Sequence, residues 1–416
     1  RLSVLSCLGF ALLAPQASHA SPANALPLPD KDVAALAREV NGELAMQTLE
    51  GIVQQHRERG SRGFRTSAEW VASRARSFGL SDVEILQFPA DGKRFYGTQR
   101  SRPAWDADKG ELTEVRDGKQ ATIASYAAVT MVLAEDSESA DVTAPLVDVG
   151  AGSSEADYAG KDVKGKLVLV SASPGQVQDL AVGKFGAVGI LSYQQNQPNA
   201  WSGDNLEQIR WGHLDTFSAH PTFAFMLSLK QANALKARLS AGEEIRLHAS
   251  VKAGQHAGPY EVVTATIPGA DPRLKDEEIA FTCHLDHPKP GANDNASGCS
   301  TILEVGRTLQ KLIAEHALAP PARTIRFIWG PEVEGTVVLL NARPDFARRI
   351  KAVVHMDMVG GGPQTQAVFH VTRGPASLPS FIHDVAWSFA QWVNDQSYAF
   401  AATGNAQFPM LAPSGG

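Results

Sequence analysis

Three parts of this 416-residue chain place imidazole and carboxylate side chains at the ends of apolar runs. They are Cys-His-Leu-Asp at 283–286 with Gly-Ala-Asn-Asp-Asn-Ala-Ser-Gly at 291–298, Gly-Pro-Glu-Val-Glu-Gly at 330–335, and His-Met-Asp-Met at 355–358. Imidazole nitrogen and carboxylate oxygen suit Zn²⁺, and a spare glutamate beside such a site could accept a proton from an attacking water. These residue types therefore predict a zinc-dependent hydrolase.

His284 is the first candidate ligand, although a lone histidine at the end of a buried strand more often serves as a hydrogen-bonded core residue. Asp286 follows at the spacing that puts two side chains on one face of a strand, where its carboxylate can accept the other ring N–H of His284. Asp294 stands directly before a predicted helix, where a carboxylate is also a common N-cap. Because Glu332 and Asp357 follow the next two strands, metal binding explains the pattern better than separate structural roles.

Regular secondary structure is predicted around all of these residues. Apolar runs at 279–283, 324–329 and 351–356 predict buried strands, and apolar residues at helical spacing within 297–318 predict a helix between the first two. A strand–helix–strand order is typical of a parallel sheet, whose ligands bind outside the carboxyl ends of the strands. We therefore expect an α/β fold with a mostly parallel central sheet flanked by helices, and the candidate residues along one edge of it.

The rest of the chain divides into a helical lead-in and a β-rich segment. Apolar periodicity predicts helices within 31–55 and 66–78, followed by a half-buried strand at 83–88. From about residue 126 short β runs separated by Gly, Asp and Pro predominate, the clearest at 146–149 and 167–170. The order of a strand after Gly-Lys, a helix and a Gly-Ala-Val-Gly strand resembles the protease-associated domain, a small β-rich module inserted into several secreted peptidases.

The four sequence motifs together carry a more specific resemblance. His-Leu-Asp, Gly-Ala-Asn-Asp-Asn-Ala-Ser-Gly, a strand ending in Gly-Pro-Glu, and Met-Asp-Met-Val-Gly resemble the M28 family of zinc aminopeptidases and carboxypeptidases. The resemblance implies two zinc ions around a bridging aspartate, here Asp294. It implies that His284 and Asp357 complete the protein ligands of one ion. It also implies that Asp286 orients His284 and that Glu332 is the general base.

The ligands of the other ion depart from the family pattern. Most members have two adjacent glutamates, and alignment on Gly335 puts Val333, which cannot bind metal, in the second place. If the segment is still extended, Glu334 points to the same face as Glu332 and is a candidate metal ligand; exposure in a turn is the alternative. The family's last ligand is a histidine, and we expect the chain as given to end just before it. The sequence thus predicts one or two zinc ions.

Domain boundaries follow from the two resemblances. The predicted organisation is a signal peptide at 1–20, an M28-like peptidase domain formed by 21–125 and 256–416, and an inserted protease-associated domain at 126–255. The signal peptide rests on Arg1, the apolar run 4–14 and small residues at 18 and 20, and it predicts a secreted or periplasmic protein that begins near Ser21.

Composition limits the partners of the protein. The formal net charge is -6 and no Lys/Arg cluster is long enough to attract nucleic acid, so nucleic acid is not expected as a partner. No later stretch reaches the ~18 to 20 unbroken apolar residues of a membrane span. After residue 20 only Cys283 and Cys299 remain, and they form either a disulfide or two buried thiols.

The predicted activity is peptide-bond hydrolysis on peptides or small proteins, with an aminopeptidase favoured on the family resemblance alone. Two alternatives stay open. One is a metallocarboxypeptidase or another amidohydrolase that uses the same centre. The other is a secreted binding protein whose metal centre has decayed, which the valine at position 333 permits.

Overall fold

The computed structural model describes residues 28–195, 205–362, 369–375, 377, 379–396 and 410–414. The chain divides into two compact units, Ala34–Gly362 and a second formed by Arg1–Val33 with Pro363–Gly416. The predicted signal peptide at 1–20 lies outside the described residues. Within the described ranges, no helix combines the length and apolar character needed to cross a bilayer.

Helices and strands alternate through most of the described chain. The helices are α1 (Asp30–Glu39), α2 (Gly42–Ile52), α3 (Arg62–Ser77), α4 (Pro174–Gln178), α5 (Leu229–Ser240), α6 (Gly298–Ala314), α7 (Glu334–Ala342), α8 (Pro344–Arg349) and α9 (Ile382–Gln396). The strands are β1 (Ser81–Ala90), β2 (Phe95–Tyr96), β3 (Gln99–Arg100), β4 (Ala104–Arg116), β5 (Lys119–Ser125), β6 (Ala140–Gly150), β7 (Leu167–Val170), β8 (Gly189–Ser192), β9 (Ala224–Met226), β10 (Arg246–His256), β11 (Gly258–Ile267), β12 (Glu278–His284), β13 (Thr324–Gly330), β14 (Ile350–His355), β15 (Phe369–Thr372) and β16 (Met410–Ser414).

The first predicted helix is two helices in the structure. Asn41 interrupts the periodic stretch because its side chain accepts hydrogen bonds from the backbone N–H groups of Glu43 and Leu44, which makes it the N-cap of α2. Ser61 caps α3 in the same way through the N–H of Phe64. The apolar stripe predicted within 66–78 is the buried face of α3, so the periodicity located the helices and the caps decided where each begins.

A five-stranded sheet forms the centre of Ala34–Gly362, in the order β1-β11-β13-β12-β14. β12 is parallel to both β13 and β14, whereas β11 is antiparallel to β1 and to β13. Four of the five strands therefore run in the same direction, and the predicted α/β class with a mostly parallel sheet flanked by helices is confirmed. β12, β13 and β14 all end at the same edge, and each is followed by a predicted site segment.

Helices cover both faces of this sheet. On one face Phe64 of α3 and Leu303 of α6 pack with Phe327 and Trp329 of β13 in a fully buried cluster. On the other face Val338 of α7 and residues of α8 pack over β11 and β13. Burial on both faces explains why these strands appear in the sequence as nearly continuous apolar runs.

A second sheet of seven strands has the order β5-β4-β10-β6-β7-β8-β9. Its strands from β6 to β9 are parallel and those from β5 to β6 are antiparallel. This sheet has its own apolar clusters on its two faces, one including α5 and the other including α4. The structure begins the sheet at Ala104, whereas the predicted insertion begins at residue 126, because β4 pairs with β10 and β5 pairs with β4, so that neither joins the central sheet.

Cys283 and Cys299 form a disulfide, with Cα atoms 5.3 Å apart. Cys283 lies near the end of β12 and Cys299 in the first turn of α6, and the intervening loop holds several candidate site residues. The sequence left a disulfide and two free thiols open, and the tertiary approach of strand end and helix start decides between them.

Candidate metal centre

The candidate site lies at the carboxyl ends of three neighbouring strands. β12 ends at His284, which pairs with Gly330 at the end of β13. Glu332 follows Gly330 by two residues, and Asp357 follows the end of β14 by two. Because the three strands are parallel, their ends meet at one edge of the sheet, as the sequence predicted for its motifs.

The ring of His284 is held in a defined orientation. Its Nδ1 donates to the backbone carbonyl of Asp286 at 3.1 Å, and the imidazole is almost completely buried. Nε2 then faces two carboxylates, 3.0 Å from Asp294 Oδ1 and 3.5 Å from Asp357 Oδ1. The hydrogen bond at Nδ1 fixes the tautomer that leaves Nε2 free to bind a metal ion.

Asp286, predicted to orient His284, lies beside Nδ1 of the His284 ring and faces it with two oxygens. Its carboxylate Oδ1 is 3.5 Å from His284 Nδ1, while its main-chain oxygen makes the shorter contact. The same Oδ1 accepts the backbone N–H of Glu332 at 2.6 Å. Asp286 therefore connects His284 with Glu332. Its backbone carbonyl orients the His284 ring, and its carboxylate holds the backbone of Glu332.

The loop that carries Asp294 is tied to the end of β14 by amide side chains. Asn295 donates to the carbonyl of Met356 and accepts the N–H of Met358. Asn293 accepts the N–H of Gly360. These bonds hold Asp294 against Asp357, and they give a structural role to the asparagines on either side of Asp294, for which the sequence motif alone indicates none.

Gly298 is required for the same contact. A Cβ at this position would lie 2.2 Å from the carbonyl oxygen of Met356 and 2.4 Å from Asn295 Oδ1. Any side chain would therefore push the end of β14 away from the loop. The glycine that ends the Asn-Asp-Asn-Ala-Ser-Gly motif permits the close approach of two backbone segments that each carry a candidate ligand.

His284, Asp294 and Asp357 form a compact group with one ligand atom from each residue, all within 4.8 Å of one another. Among the described residues, these three are the histidine and acidic side chains that lie close enough together to hold a metal ion. One imidazole nitrogen and two carboxylate oxygens form a donor set that fits the zinc expected from the sequence, with coordination positions left for water or substrate.

The electrostatics of the group favour a cation. Burial would lower the pKa of His284, but hydrogen bonds to the three surrounding aspartates raise it to about 12. Burial also acts to raise the pKa of Asp294, but bonds to His284 and His287 hold it well below its usual range. A site that favours a proton on a buried imidazole so strongly presents a negative field that a divalent ion can neutralise.

Glu332 is an exposed residue next to the group, close enough for its carboxyl to feel the charges of the group. Burial raises the pKa of this carboxyl; the charge of His284 acts against the shift, and the three neighbouring aspartates reinforce it. A glutamate with a raised pKa is a better proton acceptor than an ordinary surface carboxylate near neutral pH. The direction of this pKa shift is the one expected of a general base.

Glu334 is not brought into the group, and the extended geometry assumed for it is absent. Val333 has φ 57° and ψ -60°, and the N–H of Glu334 bonds to the carbonyl of Glu332, which closes a tight turn. Glu334 then starts α7, where its buried carboxylate accepts a hydrogen bond from Arg102. The prediction that Glu334 binds metal is wrong, because the turn at Val333 breaks the strand geometry in which residues 332 and 334 would face the same side. The alternative of an exposed turn position is also wrong, because Glu334 is buried.

Two further histidines border the group. His287 Nε2 lies 3.5 Å from Asp294 Oδ2, and its Nδ1 donates to the carbonyl of Pro288. His355 is instead hydrogen-bonded to Thr282 through Nδ1. Arg57, which the sequence gave no reason to single out, contacts the loop that follows His284.

Comparisons with known proteins give one match to a family model and several relatives named as aminopeptidases. Residues 262–406 match the model of peptidase family M28. Leucine aminopeptidase 1 of Pyrenophora tritici-repentis (strain Pt-1C-BFP) is 34% identical over 128 residues, which cover 27% of this chain and 31% of the relative. An aminopeptidase of Pseudomonas aeruginosa (strain UCBPP-PA14) is 27% identical over 242 residues, covering 54% of this chain and 41% of the relative. The chain thus spans less than half the length of either relative.

Solved structures share the fold. A zinc aminopeptidase from Bacillus subtilis superposes with a TM-score of 0.55 at 19% identity, covering 89% of this chain and 80% of that one. A peptidase M28 precursor from Shewanella amazonensis SB2B gives a TM-score of 0.56 at 15% identity, covering 79% and 74%. At these identities the likeness is one of architecture.

Proposed function

We propose, because residues 262–406 match the model of peptidase family M28, that this chain is a member of that family and a zinc-dependent exopeptidase that acts on free N-termini. The observation that carries the proposal is the convergence of His284 Nε2 with carboxylate oxygens of Asp294 and Asp357, beside a glutamate whose pKa is raised. These three ligands and the base come from four separate segments, so their meeting is a property of the folded chain.

In the proposed reaction a zinc ion held by His284, Asp294 and Asp357 would lower the pKa of a water and polarise the scissile carbonyl. Glu332 accepts the proton of the attacking water and returns it to the leaving amine. Asp286 holds the backbone of Glu332 in place, and its carbonyl keeps the His284 ring in one tautomer. Each step thus has a residue whose position is fixed by a second contact.

We propose one fully formed zinc site in the described part of the chain. Glu334 pairs with Arg102, and Val333 offers no ligand atom. His287 and the second oxygen of Asp294 lie on the far side of the group, 3.5 Å apart, and could contribute to binding a second ion. The number of zinc ions per protein molecule, measured by elemental mass spectrometry, distinguishes a one-zinc site from a two-zinc site.

The preference for N-terminal cleavage is supported by the names of both curated relatives, which are aminopeptidases. We expect hydrolysis of aminoacyl p-nitroanilides with a free amine and at least about a hundredfold lower kcat/KM on the matched N-acetyl compounds. A metal chelator should abolish the activity, and zinc should restore it.

Other outcomes of that substrate panel identify the alternatives. Release of the C-terminal residue from N-blocked dipeptides, with no action on free aminoacyl compounds, would assign a carboxypeptidase. A folded full-length protein without zinc and without chelator-sensitive hydrolysis would support the decayed binding protein instead. Either result contradicts the proposed aminopeptidase.

We also propose that the seven-stranded sheet is an inserted protease-associated domain and that the protein is exported. The disulfide between Cys283 and Cys299 supports export because such bonds persist in oxidising compartments. Protein expressed from its full precursor is expected outside the cytoplasm with a mature N-terminus near Ser21. Accumulation of uncleaved protein in the cytoplasm, with both thiols free, would contradict this localisation.

A further inference from the structure

Arg57 is a fully buried arginine that binds the loop between His284 and Asp294. Its side chain donates to five backbone carbonyls at 2.8 to 3.2 Å. Those carbonyls belong to Ile52, Gln55, Leu285, Pro290 and Gly291. The backbone of Arg57 also exchanges N–H to carbonyl bonds with His287 in both directions. One residue of the N-terminal segment therefore holds the loop at its start, middle and end.

The loop is shaped to receive this side chain. Gly291 has φ 48°, and a Cβ there would lie 2.7 Å from Arg57 Nη2 and 2.6 Å from the carbonyl oxygen of Asp294. A side chain at this position would separate the guanidinium from the loop and press on the backbone of a candidate ligand. The absence of a side chain at Gly291 thus allows the Arg57 guanidinium to reach the backbone of the loop.

No carboxylate among the described residues forms an ion pair with Arg57, so its charge is compensated at longer range. Burial lowers the pKa of Arg57 to about 10, and the negative charges of Asp286, Glu58 and Asp294 oppose that shift. A buried guanidinium without a paired carboxylate is costly, and here each of its bonds is made to a carbonyl. The geometry of those bonds, rather than a local ion pair, is what this residue supplies.

We propose that Arg57 is a positioning residue for the zinc site: it fixes the loop 285–291 and so sets the placement of Asp294 relative to His284. The inference rests on the proposed function, since it concerns the same site. Two ligands separated by a loop can bind an ion tightly only if the loop is already ordered, because otherwise binding must offset the entropy of ordering it.

Replacing Arg57 by Lys separates charge from hydrogen-bond geometry. Lysine keeps the positive charge, but a single ammonium group cannot reach carbonyls on both sides of the guanidinium. We expect zinc affinity of the full-length Arg57→Lys protein, measured by competition with a chromophoric chelator, to fall by about 10- to 100-fold, the range typical of groups that orient metal ligands. If Arg57 served only to balance the acidic cluster, lysine would preserve zinc affinity.

Arg307→Lys is the matched control. Arg307 is also a buried arginine, and it bonds to Glu304 and Glu39 from the middle of α6, away from the loop. Both substitutions are expected to lower the melting temperature of the zinc-free protein, but the Arg307 variant should keep wild-type zinc affinity. A purely structural role for Arg57 would give the two variants the same zinc affinity.

If Arg57→Lys does not fold by far-ultraviolet circular dichroism, Gly291→Ala tests the same contact from the loop side and carries the same expected loss. Folded Arg57→Lys or Gly291→Ala protein that binds zinc within threefold of wild type overturns the inference and leaves the proposed function standing. Wild-type protein that binds no zinc overturns both.

Discussion

Replacing Glu332 by Gln is expected to remove nearly all hydrolysis while leaving zinc bound. The amide has almost the same shape as the carboxylate but cannot accept a proton from the attacking water. General base catalysis contributes about 10²- to 10⁴-fold, so kcat should fall by that factor. The backbone N–H of Glu332, which donates to Asp286, is unchanged by the substitution, and the ligand group should keep its geometry. The measurement is kcat and zinc content of the same purified protein.

Glu315→Gln is a suitable control for this experiment. Glu315 is an exposed glutamate just after α6, whose nearest basic partner is Lys311 at 4.0 Å. Its replacement should change kcat by less than twofold, because exposed ion pairs contribute little. Near-normal turnover in Glu332→Gln protein would remove this glutamate from the role of base, and loss of zinc would assign it to the ligands instead.

Replacing Asp294 by Ala is expected to abolish both zinc binding and activity. Asp294 lies between two histidines, with Oδ1 3.0 Å from His284 and Oδ2 3.5 Å from His287. Its loss removes a ligand and, with it, the carboxylate that lies closest to His284 Nε2. A bound zinc ion typically stabilises the transition state by several kcal/mol, so a loss of about 10³-fold or more in kcat/KM is expected.

The readout for Asp294→Ala is zinc content together with hydrolysis in excess zinc. Asp345→Ala, at an exposed aspartate near Arg343, controls for the removal of an acidic side chain. Excess zinc should not rescue the Asp294 variant, whereas chelated wild-type protein should recover when zinc is returned. A variant that retains one tightly bound zinc would show that Asp294 is not required for the site, and the ligand assignment would have to change.

The seven-stranded sheet and the candidate metal centre meet at the segment that contains Arg57. Thr130 Oγ1 donates to the carbonyl of Lys289, and the ring of His56 packs edge-on against Trp105 and Tyr126 of the seven-stranded part. Arg59 forms a buried ion pair with Asp136. The loop that follows His284 is thus contacted from two sides, by the N-terminal segment and by the part of the chain that forms the seven-stranded sheet.

The sequence predicted the fold class and the candidate ligands from patterns that depend on nearby residues. Apolar runs of strand length, helical periodicity, and His-Leu-Asp or Met-Asp-Met at strand ends are local features, and parallel strands necessarily bring their ends to one edge. His284, Asp294 and Asp357 could be chosen for this reason. The caps at Asn41 and Ser61, by contrast, adjusted helix boundaries that periodicity alone leaves open.

Only the tertiary structure decided the features that depend on backbone direction and on contacts far apart in sequence. The turn at Val333 reverses the chain, so Glu334 faces Arg102 rather than the metal group, although a spacing of two suggested otherwise. Arg57 reaches the loop at 285–291 across more than two hundred positions, a contact that no local pattern encodes. Sequence spacing fixes which face a side chain takes only while the backbone stays regular, and both cases lie where it does not.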